Sequence, residues 1–147
     1  TLLDETTKEA LKREVNNNIL TKLAEEAEKV NVEENSILAT DWINGRRTPD
    51  ADQNMKASIT NLALGSTAPL IYRAIVEATA FGSRAIIERF KECGVKIDEV
   101  VGIGGISSKS PFVMQILADV LDMPIKVARS EQTCALGAAL YLSPIHI

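Results

Sequence analysis

Residues 100–111 read VVGIGGISSKSP, and the order of residue types in this stretch decides the fold class. The apolar residues Val100, Val101 and Ile103 predict a buried strand, and the glycines beside them predict a turn. Ser110-Pro111 is typical of a helix start. A strand that runs through glycines into a helix N-terminus is a common way for proteins to hold a phosphate group. The stretch therefore predicts an α/β fold with a phosphate-binding turn.

Helices and strands alternate on both sides of this stretch. Helices are predicted over residues 5–30, from Thr67 to Gly94, over 111–122 and from Thr133 onward. The first helix has an apolar stripe that includes Leu11, Val15 and Ile19, and Thr67 can cap the second helix. Strands are predicted near 98–103 and over 125–129, with a weaker one over 56–62. Strand, helix, strand and helix with short connections indicate an α/β fold with parallel strand pairing.

Composition excludes several classes of protein. The chain has 147 residues, 46% of them apolar and 24% charged, which suits one soluble globular domain. The formal charge of −4, with Lys and Arg scattered along the chain, argues against a nucleic-acid surface. No apolar run approaches the length of a membrane span. Cys93 and Cys134 lack metal-binding spacing, so we expect reduced thiols in a cytoplasmic protein, with Cys134 buried.

Both ends of the chain suggest a piece of a larger protein. The chain begins at Thr1 without methionine and enters a helical pattern almost at once. It stops at LSPIHI, where Pro144 would break an apolar helix that has just begun. Residues 143–147 are therefore suspected of not being native sequence, and His146, the single histidine, is assigned no role.

Two general phosphate motifs can be compared with the turn. A P-loop, G-x-x-x-x-G-K-[ST], would need glycines where Ile103 and Ser108 stand, so it is excluded.

The dinucleotide fingerprint G-x-G-x-x-G fits in part. Gly102 and Gly104 match it, Ser107 replaces the third glycine, and Glu131 follows the next strand as a candidate ribose partner. A fragment of an NAD(P)-dependent oxidoreductase is therefore one alternative.

Several longer blocks resemble the FGGY family of carbohydrate kinases, which belongs to the larger actin-like, sugar kinase and Hsp70 group. The blocks are LATDWINGRRTP, EATAFGSRAII, GGI..KSP.VMQ..ADVL..PI and EQTCALGAAL, and together they span most of residues 35–142. The resemblance implies an actin-like, ribonuclease H-like ATPase fold. This chain would be the latter half of the C-terminal domain, with a helical segment over 1–34 and a nucleotide-binding part over 35–147.

The resemblance also implies an activity. It is greatest to family members that phosphorylate L-ribulose in L-arabinose catabolism, so the expected reaction transfers the γ-phosphoryl group of ATP, with Mg²⁺, to a ketopentose. The sugar pocket and the proton-accepting aspartate would precede Thr1, so this chain would supply the ATP side and be inactive alone. The expected partners are ATP or ADP and a ketopentose, with no nucleic acid and no membrane. A homo-oligomer of the parent protein is left open. Xylulose and glycerol kinases, and a non-catalytic actin-like nucleotide-binding module, also remain open.

The candidate nucleotide-binding residues are Gly104, Gly105, Ser108 and Lys109. The two glycines lack Cβ atoms, so the backbone can approach a nucleotide, although a tight turn alone would explain them as well. The ammonium group of Lys109, expected at a helix start, could meet a phosphate. Ser107, Ser108 or Ser110 could also cap that helix. No catalytic residue and no metal ligand is assigned.

Other polar residues are expected to have structural roles. Arg73 and Glu77 should pair on a helix surface, and Gln115 should be exposed or make a structural hydrogen bond. Trp42 should be a core or interface residue. Four charged residues cluster around a turn and suggest a structural or closure role, which the resemblance places between domains: Asp41, Arg46, Arg47 and Asp50.

Overall fold

A computed structural model of the chain describes residues 4–32, 36–46, 48–49, 51–130 and 132–142. Its elements, in chain order, are α1 (Glu5–Glu28), β1 (Leu38–Ala39), β2 (Ile59–Thr60), α2 (Ala68–Glu92), β3 (Val100–Gly102), α3 (Gly105–Lys109), α4 (Pro111–Leu121), β4 (Ile125–Val127) and α5 (Thr133–Leu142). The α/β class that the sequence predicts is therefore confirmed.

The strands form two small sheets. β3 and β4 pair in parallel, with Val100 opposite Ile125, as the strand–helix–strand order predicts. β1 and β2 pair antiparallel, with Leu38 opposite Thr60. β1 was not expected from the sequence, and β2 is shorter than the strand predicted over 56–62. Two-residue strands carry too few side chains for an alternating pattern to reveal them.

The core lies where three helices meet. Small residues let the helices approach closely, since Ala27 of α1 and Ala80 of α2 are completely buried. Phe112 and Ile116 of α4 pack against Ala27, Ala80 and Val76 in one cluster. The ring of Phe112 also stacks on Tyr72, with 6.2 Å between the ring centroids. The helix that follows the glycine turn is thus anchored in the core through its first turn.

α1 confirms the predicted long helix, but only its C-terminal part is packed. Asp4 caps the helix by accepting a hydrogen bond of 2.7 Å from the backbone N–H of Thr7. Leu11, Val15 and Ile19 lie on one stripe and are between 45% and 53% exposed. The apolar stripe read from the sequence is real, yet it is buried only where α1 meets α2 and α4.

The boundaries of α2 follow the sequence with one correction. Thr67 occupies the N-cap position, but its side chain makes no capping hydrogen bond, contrary to expectation. Pro69 lies in the first turn, where the missing N–H has no cost. The helix ends at Glu92, and Gly94 follows with a φ of 79°, a conformation that glycine adopts readily and that stops a helix.

The expectation that Cys134 is buried is wrong. α5 has no buried residue, and both cysteines are exposed and free. The reason is that α5 lies outside the cluster formed by α1, α2 and α4, so its apolar side chains have little to pack against.

Among the described residues, no helix combines the length and apolar character that crossing a membrane requires.

Candidate nucleotide-binding turn

β3 leads directly into the turn that the sequence predicts. The strand ends at Gly102, and Gly104 precedes the single helical turn α3, which was not expected as a separate element. Ser110 then starts α4 by accepting a hydrogen bond of 3.4 Å from the N–H of Val113, as its predicted capping role requires. A strand, a glycine turn and the start of a longer helix therefore follow one another within twelve residues, as the sequence indicates.

Gly104 and Gly105 border open space. A Cβ atom built on either residue would have no heavy atom within 4 Å outside its chain neighbours. Gly104 has φ 87° and ψ 179°, a backbone conformation that is essentially confined to glycine. The turn therefore leaves its backbone accessible, which is the geometric condition for a nucleotide to approach the peptide groups.

Gly102 has a different role from its neighbours. A Cβ atom there would lie 2.8 Å from Cε of Met114 and 3.2 Å from Cβ of Ser107. This glycine allows the end of β3 to pack closely against α3 and α4. The dinucleotide fingerprint, which places its first glycine in a tight turn, does not describe this arrangement.

The serines of the turn bond to the turn itself. The hydroxyl of Ser107 donates to the carbonyl of Gly104 at 2.7 Å, and that of Ser108 donates to the carbonyl of Gly105 at 3.2 Å. Neither caps α4, so the capping role expected for them is wrong, because the short α3 intervenes. Their hydrogen bonds close the turn on both glycines and hold its shape without a ligand.

Lys109 is the last residue of α3 and lies two residues before the first residue of α4. The sequence places it at a helix start, where its charge would oppose the helix dipole. At the end of α3 the charge is instead favoured by the nearby carbonyl groups. Within the part of the chain that the structure describes, no hydrogen bond or ion pair involves its ammonium group, so this cation beside the turn is available to an anion.

Arg73 connects three helices. Its Nε lies 2.7 Å from Oε1 of Glu77, which confirms the predicted pair. The two side chains are only 11% and 25% exposed, so a position on the helix surface is wrong. Its Nη1 donates to the carbonyl of Ala27 at 3.1 Å, and the guanidinium carbon lies 5.8 Å from the ring centroid of Phe112. Arg73 thus links α1 and α2 to the first turn of α4, next to the glycine turn.

Two other residues singled out from the sequence, Gln115 and Arg46, contact residues close to them in the chain. Gln115 donates to Asp119 at 2.7 Å within α4, as the structural interpretation predicts. The guanidinium of Arg46 lies 5.5 Å from the ring centroid of Trp42, which is half-buried. Several residues discussed from the sequence fall outside the described residues: Thr1, Arg47, Asp50, Glu131, Pro144 and His146.

An open groove lies on another side of α2 and was not predicted from the sequence. The groove has a volume of about 630 Å³ and is lined by residues 37–46, by Thr48 and by one face of α2. Gly82 of α2 and Asp41 contact each other at its wall: a Cβ atom at Gly82 would lie 2.7 Å from Oδ2 of Asp41. Only the tertiary structure brings these two residues together, because 41 positions separate them in the chain.

Comparison with known protein families agrees with the geometry. The C-terminal domain of the FGGY family of carbohydrate kinases matches residues 1–143. The chain is 46% identical over 128 residues to a ribulokinase of Vibrio parahaemolyticus, covering 87% of this chain and 23% of that protein. It is 43% identical over 119 residues to a ribulokinase of Bacillus licheniformis, covering 81% of this chain and 22% of that protein.

Solved structures show the same fold. A xylulose kinase of Bifidobacterium adolescentis has a TM-score of 0.67 and 27% identity, covering 80% of this chain and 23% of that one. A glycerol kinase of Plasmodium falciparum with ADP has a TM-score of 0.71 at 22% identity, covering 88% of this chain and 26% of that one. These neighbours confirm the actin-like, ribonuclease H-like fold class, of which this chain is a part.

The chain spans about a quarter of the length of the relatives it matches. The oxidoreductase alternative is not favoured, because the family match covers the glycine turn and Gly102 packs inside the fold. The family match, the ribulokinase relatives and the shared fold agree over nearly the whole sequence: the chain belongs to the FGGY family of carbohydrate kinases.

Proposed function

We propose that this chain is the nucleotide-binding part of a ribulokinase, which transfers the γ-phosphoryl group of ATP to the 5-hydroxyl group of L-ribulose. The observation that carries the proposal is the 46% identity over 128 residues to a protein named ribulokinase. Other ribulokinases are 35–44% identical over 74–86% of the chain. Identities to the xylulose and glycerol kinases of known structure are lower, at 22–27%.

The glycine turn is the proposed ATP site. Gly104 and Gly105 leave space for phosphate or ribose at their backbone, and the Lys109 ammonium is available to a phosphate oxygen. Ser108 supports the turn through its bond to Gly105 and can also offer its hydroxyl oxygen to the ligand. A fold neighbour, the P. falciparum glycerol kinase, has ADP bound, which supports a nucleotide as the ligand class.

Phosphoryl transfer depends mainly on positioning and on stabilising charge, and Mg²⁺ supplies part of that stabilisation when bound with the nucleotide. The described residues contain no group of three or more His, Cys, Asp or Glu side chains that could hold a metal ion. We therefore assign Mg²⁺ no ligand in this segment. The role proposed for this segment is to bind and orient ATP, while the residues that bind the sugar and accept its proton belong to the rest of the enzyme.

The division of the chain into a helical segment over 1–34 and a nucleotide-binding part over 35–147 stays a prediction. α1 shares the core with α2 and α4, so the two parts are expected to fold together. The cytoplasmic location and self-association of the full protein likewise stay predictions.

The proposal is tested by assaying the full-length protein for ADP release with ATP and one acceptor at a time. L-Ribulose should be phosphorylated with a kcat/KM above those for D-xylulose and glycerol. Titration calorimetry should show binding of ADP and none of NAD. A higher kcat/KM for D-xylulose or glycerol would reject the ribulokinase assignment, and binding of NAD in preference to ADP would reject the nucleotide class.

A further inference from the structure

The guanidinium group of Arg73 is fixed by partners on two helices. Its Nε lies 2.7 Å from Oε1 of Glu77, one turn further along α2, and its Nη1 donates to the carbonyl of Ala27 at 3.1 Å. Ala27 is completely buried and the Arg73 side chain is 11% exposed, so water does not readily replace these partners. Arg73 therefore differs from an arginine on the surface of a helix, which can adopt many side-chain conformations.

The C-terminal end of α1 favours a cation at this position. Its last four residues, 25–28, read EEAE, and the helix dipole disfavours acidic side chains at a C-terminal end. Lys29 follows them, but its ammonium pairs with Glu26 at 2.6 Å and its side chain is 69% exposed. Arg73 of α2 brings a positive charge to the buried side of this helix end.

The same guanidinium lies against the first turn of α4. Its central carbon is 5.8 Å from the ring centroid of Phe112, which is within the range of a cation–π contact. The ring also stacks on Tyr72, the residue before Arg73, and Phe112 is 7% exposed. Two adjacent residues of α2 thus hold the Phe112 ring, and a shift of the start of α4 would break both contacts.

Phe112 is joined to the candidate nucleotide turn by a short and hydrogen-bonded stretch of chain. Ser110, two residues before it, donates its backbone N–H to the carbonyl of Ile106 in α3 at 3.0 Å. The hydroxyl of Ser110 also accepts the hydrogen bond from the N–H of Val113 that caps α4. Ile106 directly follows Gly105 in the chain. The position of Phe112 is therefore passed to the turn through bonded backbone and not through an exposed side chain.

We propose that Arg73 is a positioning residue for the nucleotide. By holding Phe112 and the start of α4 against α1 and α2, it sets the position of Gly104 and Gly105, where ATP is proposed to bind. Arg73 acts through Phe112 and not by contact with the ligand. This inference rests on the proposed ATP site, and it requires an effect on nucleotide affinity that a loss of stability alone would not produce.

The test compares two destabilised variants of the full-length enzyme at a temperature where both are folded. Arg73→Met should raise the KM for ATP and the Kd for ADP about fivefold, while the KM for L-ribulose stays within about twofold. Ile37→Ala is the matched control, because Ile37 is 4% exposed and lies outside the cluster shared by α1, α2 and α4. It should also lower Tm, since it leaves a cavity, but both nucleotide constants should stay unchanged.

A double-mutant cycle tests whether Arg73 acts through Phe112. Phe112→Leu keeps an apolar side chain but removes the ring, so it should raise the KM for ATP as Arg73→Met does. The double variant should lose no more nucleotide affinity than the more affected single variant. Arg73→Lys keeps the charge without the planar guanidinium and should fall between the wild type and Arg73→Met. This milder variant provides the measurement if Arg73→Met does not fold.

Three results would each overturn the inference: unchanged nucleotide constants in the Arg73 variants, equal increases in Ile37→Ala, or multiplied losses in the double variant. Absence of L-ribulose phosphorylation by the wild-type enzyme would instead reject the proposed function, and the Kd for ADP would still test the role of Arg73. If the wild type binds no ADP, the proposed ATP site is wrong and the role of Arg73 in nucleotide binding is rejected with it.

Discussion

Two adjacent glycines in the candidate nucleotide turn differ in what they require of the backbone. Gly104 has φ 87° and ψ 179°, which a residue with a side chain adopts only under strain, whereas no positive φ occurs at Gly105. Both border open space. Gly104 therefore allows the backbone conformation of the turn, whereas the missing side chain of Gly105 leaves the backbone there accessible.

Gly104→Ala should destabilise the protein by about 1–3 kcal/mol, because alanine must adopt the strained conformation. Gly105→Ala is the matched control and should leave the unfolding free energy nearly unchanged or slightly higher. Urea unfolding of the full-length protein measures both. Equal stability of the two variants would show that the turn relaxes to another conformation at Gly104.

Gly105→Val should raise the KM for ATP while the KM for L-ribulose and Tm change little. The side chain would enter the space proposed for the nucleotide, and a Cβ atom at Gly105 has no heavy atom within 4 Å outside its chain neighbours and its own helix backbone. Steady-state kinetics with each substrate varied in turn provide the measurement. If Tm falls and both KM values rise together, Gly105 is a fold element only. An unchanged KM for ATP would exclude nucleotide contact at this residue.

Among the elements, the junction of α1, α2 and α4 depends on one cation. Arg73 bonds to Glu77 of its own helix and to the carbonyl of Ala27 at the end of α1, and its guanidinium lies over the ring of Phe112. A pair that is mostly buried contributes more than an exposed one, because removal of one partner leaves the other charge poorly solvated.

Arg73→Met should lower the unfolding free energy by about 2–3 kcal/mol, since Glu77 and the Ala27 carbonyl would lose their donor. Arg89→Gln is the control: its pair with Glu92 is 59% and 66% exposed, and such pairs contribute little. Chemical denaturation measures the unfolding free energy of both variants. Similar losses for the two arginines would contradict the importance assigned to burial at Arg73.

The start of α1 should respond to acid. The hydrogen bond from the Thr7 backbone lowers the pKa of the Asp4 carboxyl below its ordinary value of 3.8. A carboxyl with a lowered pKa in the folded state stabilises that state above its unfolded pKa and loses this contribution as the pH falls through its folded pKa. The first turn of α1 should therefore loosen below about pH 4.

The NMR shift of the Thr7 amide should report this transition in an acid titration. Asp4→Asn keeps a good capping residue without a titrating group, so the Thr7 backbone amide of this variant should show no transition in that range. A transition of the same size in Asp4→Asn would assign the effect to another group.

At the scale of the whole molecule, this chain has a small core and a large apolar surface. Its buried apolar side chains come mainly from three helices, whereas Leu38, Ile106 and Tyr141 are 64%, 67% and 77% exposed. Exposed apolar area of this extent is typical of surfaces that contact other protein segments. The ribulokinase of Vibrio parahaemolyticus is about four times as long as this chain.

The chain in isolation should show no ATP-dependent phosphorylation of L-ribulose, because the proposed sugar site and proton acceptor belong to the rest of the enzyme. It should also bind an apolar fluorescent dye more strongly, per chain, than the full-length enzyme does. Turnover above a buffer control would show that the catalytic groups lie in this segment. Equal dye binding would show that the exposed apolar side chains stay exposed in the full protein.

The sequence by itself determined the α/β class, the long helices, the parallel pairing near residues 100–127 and the family. These depend on local patterns: an apolar run, glycines at a turn, helix starts such as Ser110-Pro111, and the order of the blocks along the chain. The position of the candidate nucleotide turn followed from the same signals.

Only the tertiary structure decided how distant residues meet. The burial of Arg73, the exposure of Cys134 and the contact of Gly82 with Asp41 depend on which helix faces lie together. The different roles of Gly102, which packs against Met114, and Gly104, which shapes the turn, could not be predicted from the sequence either. The physical reason is that periodicity shows which residues share a face, whereas burial and close approach depend on what that face is packed against.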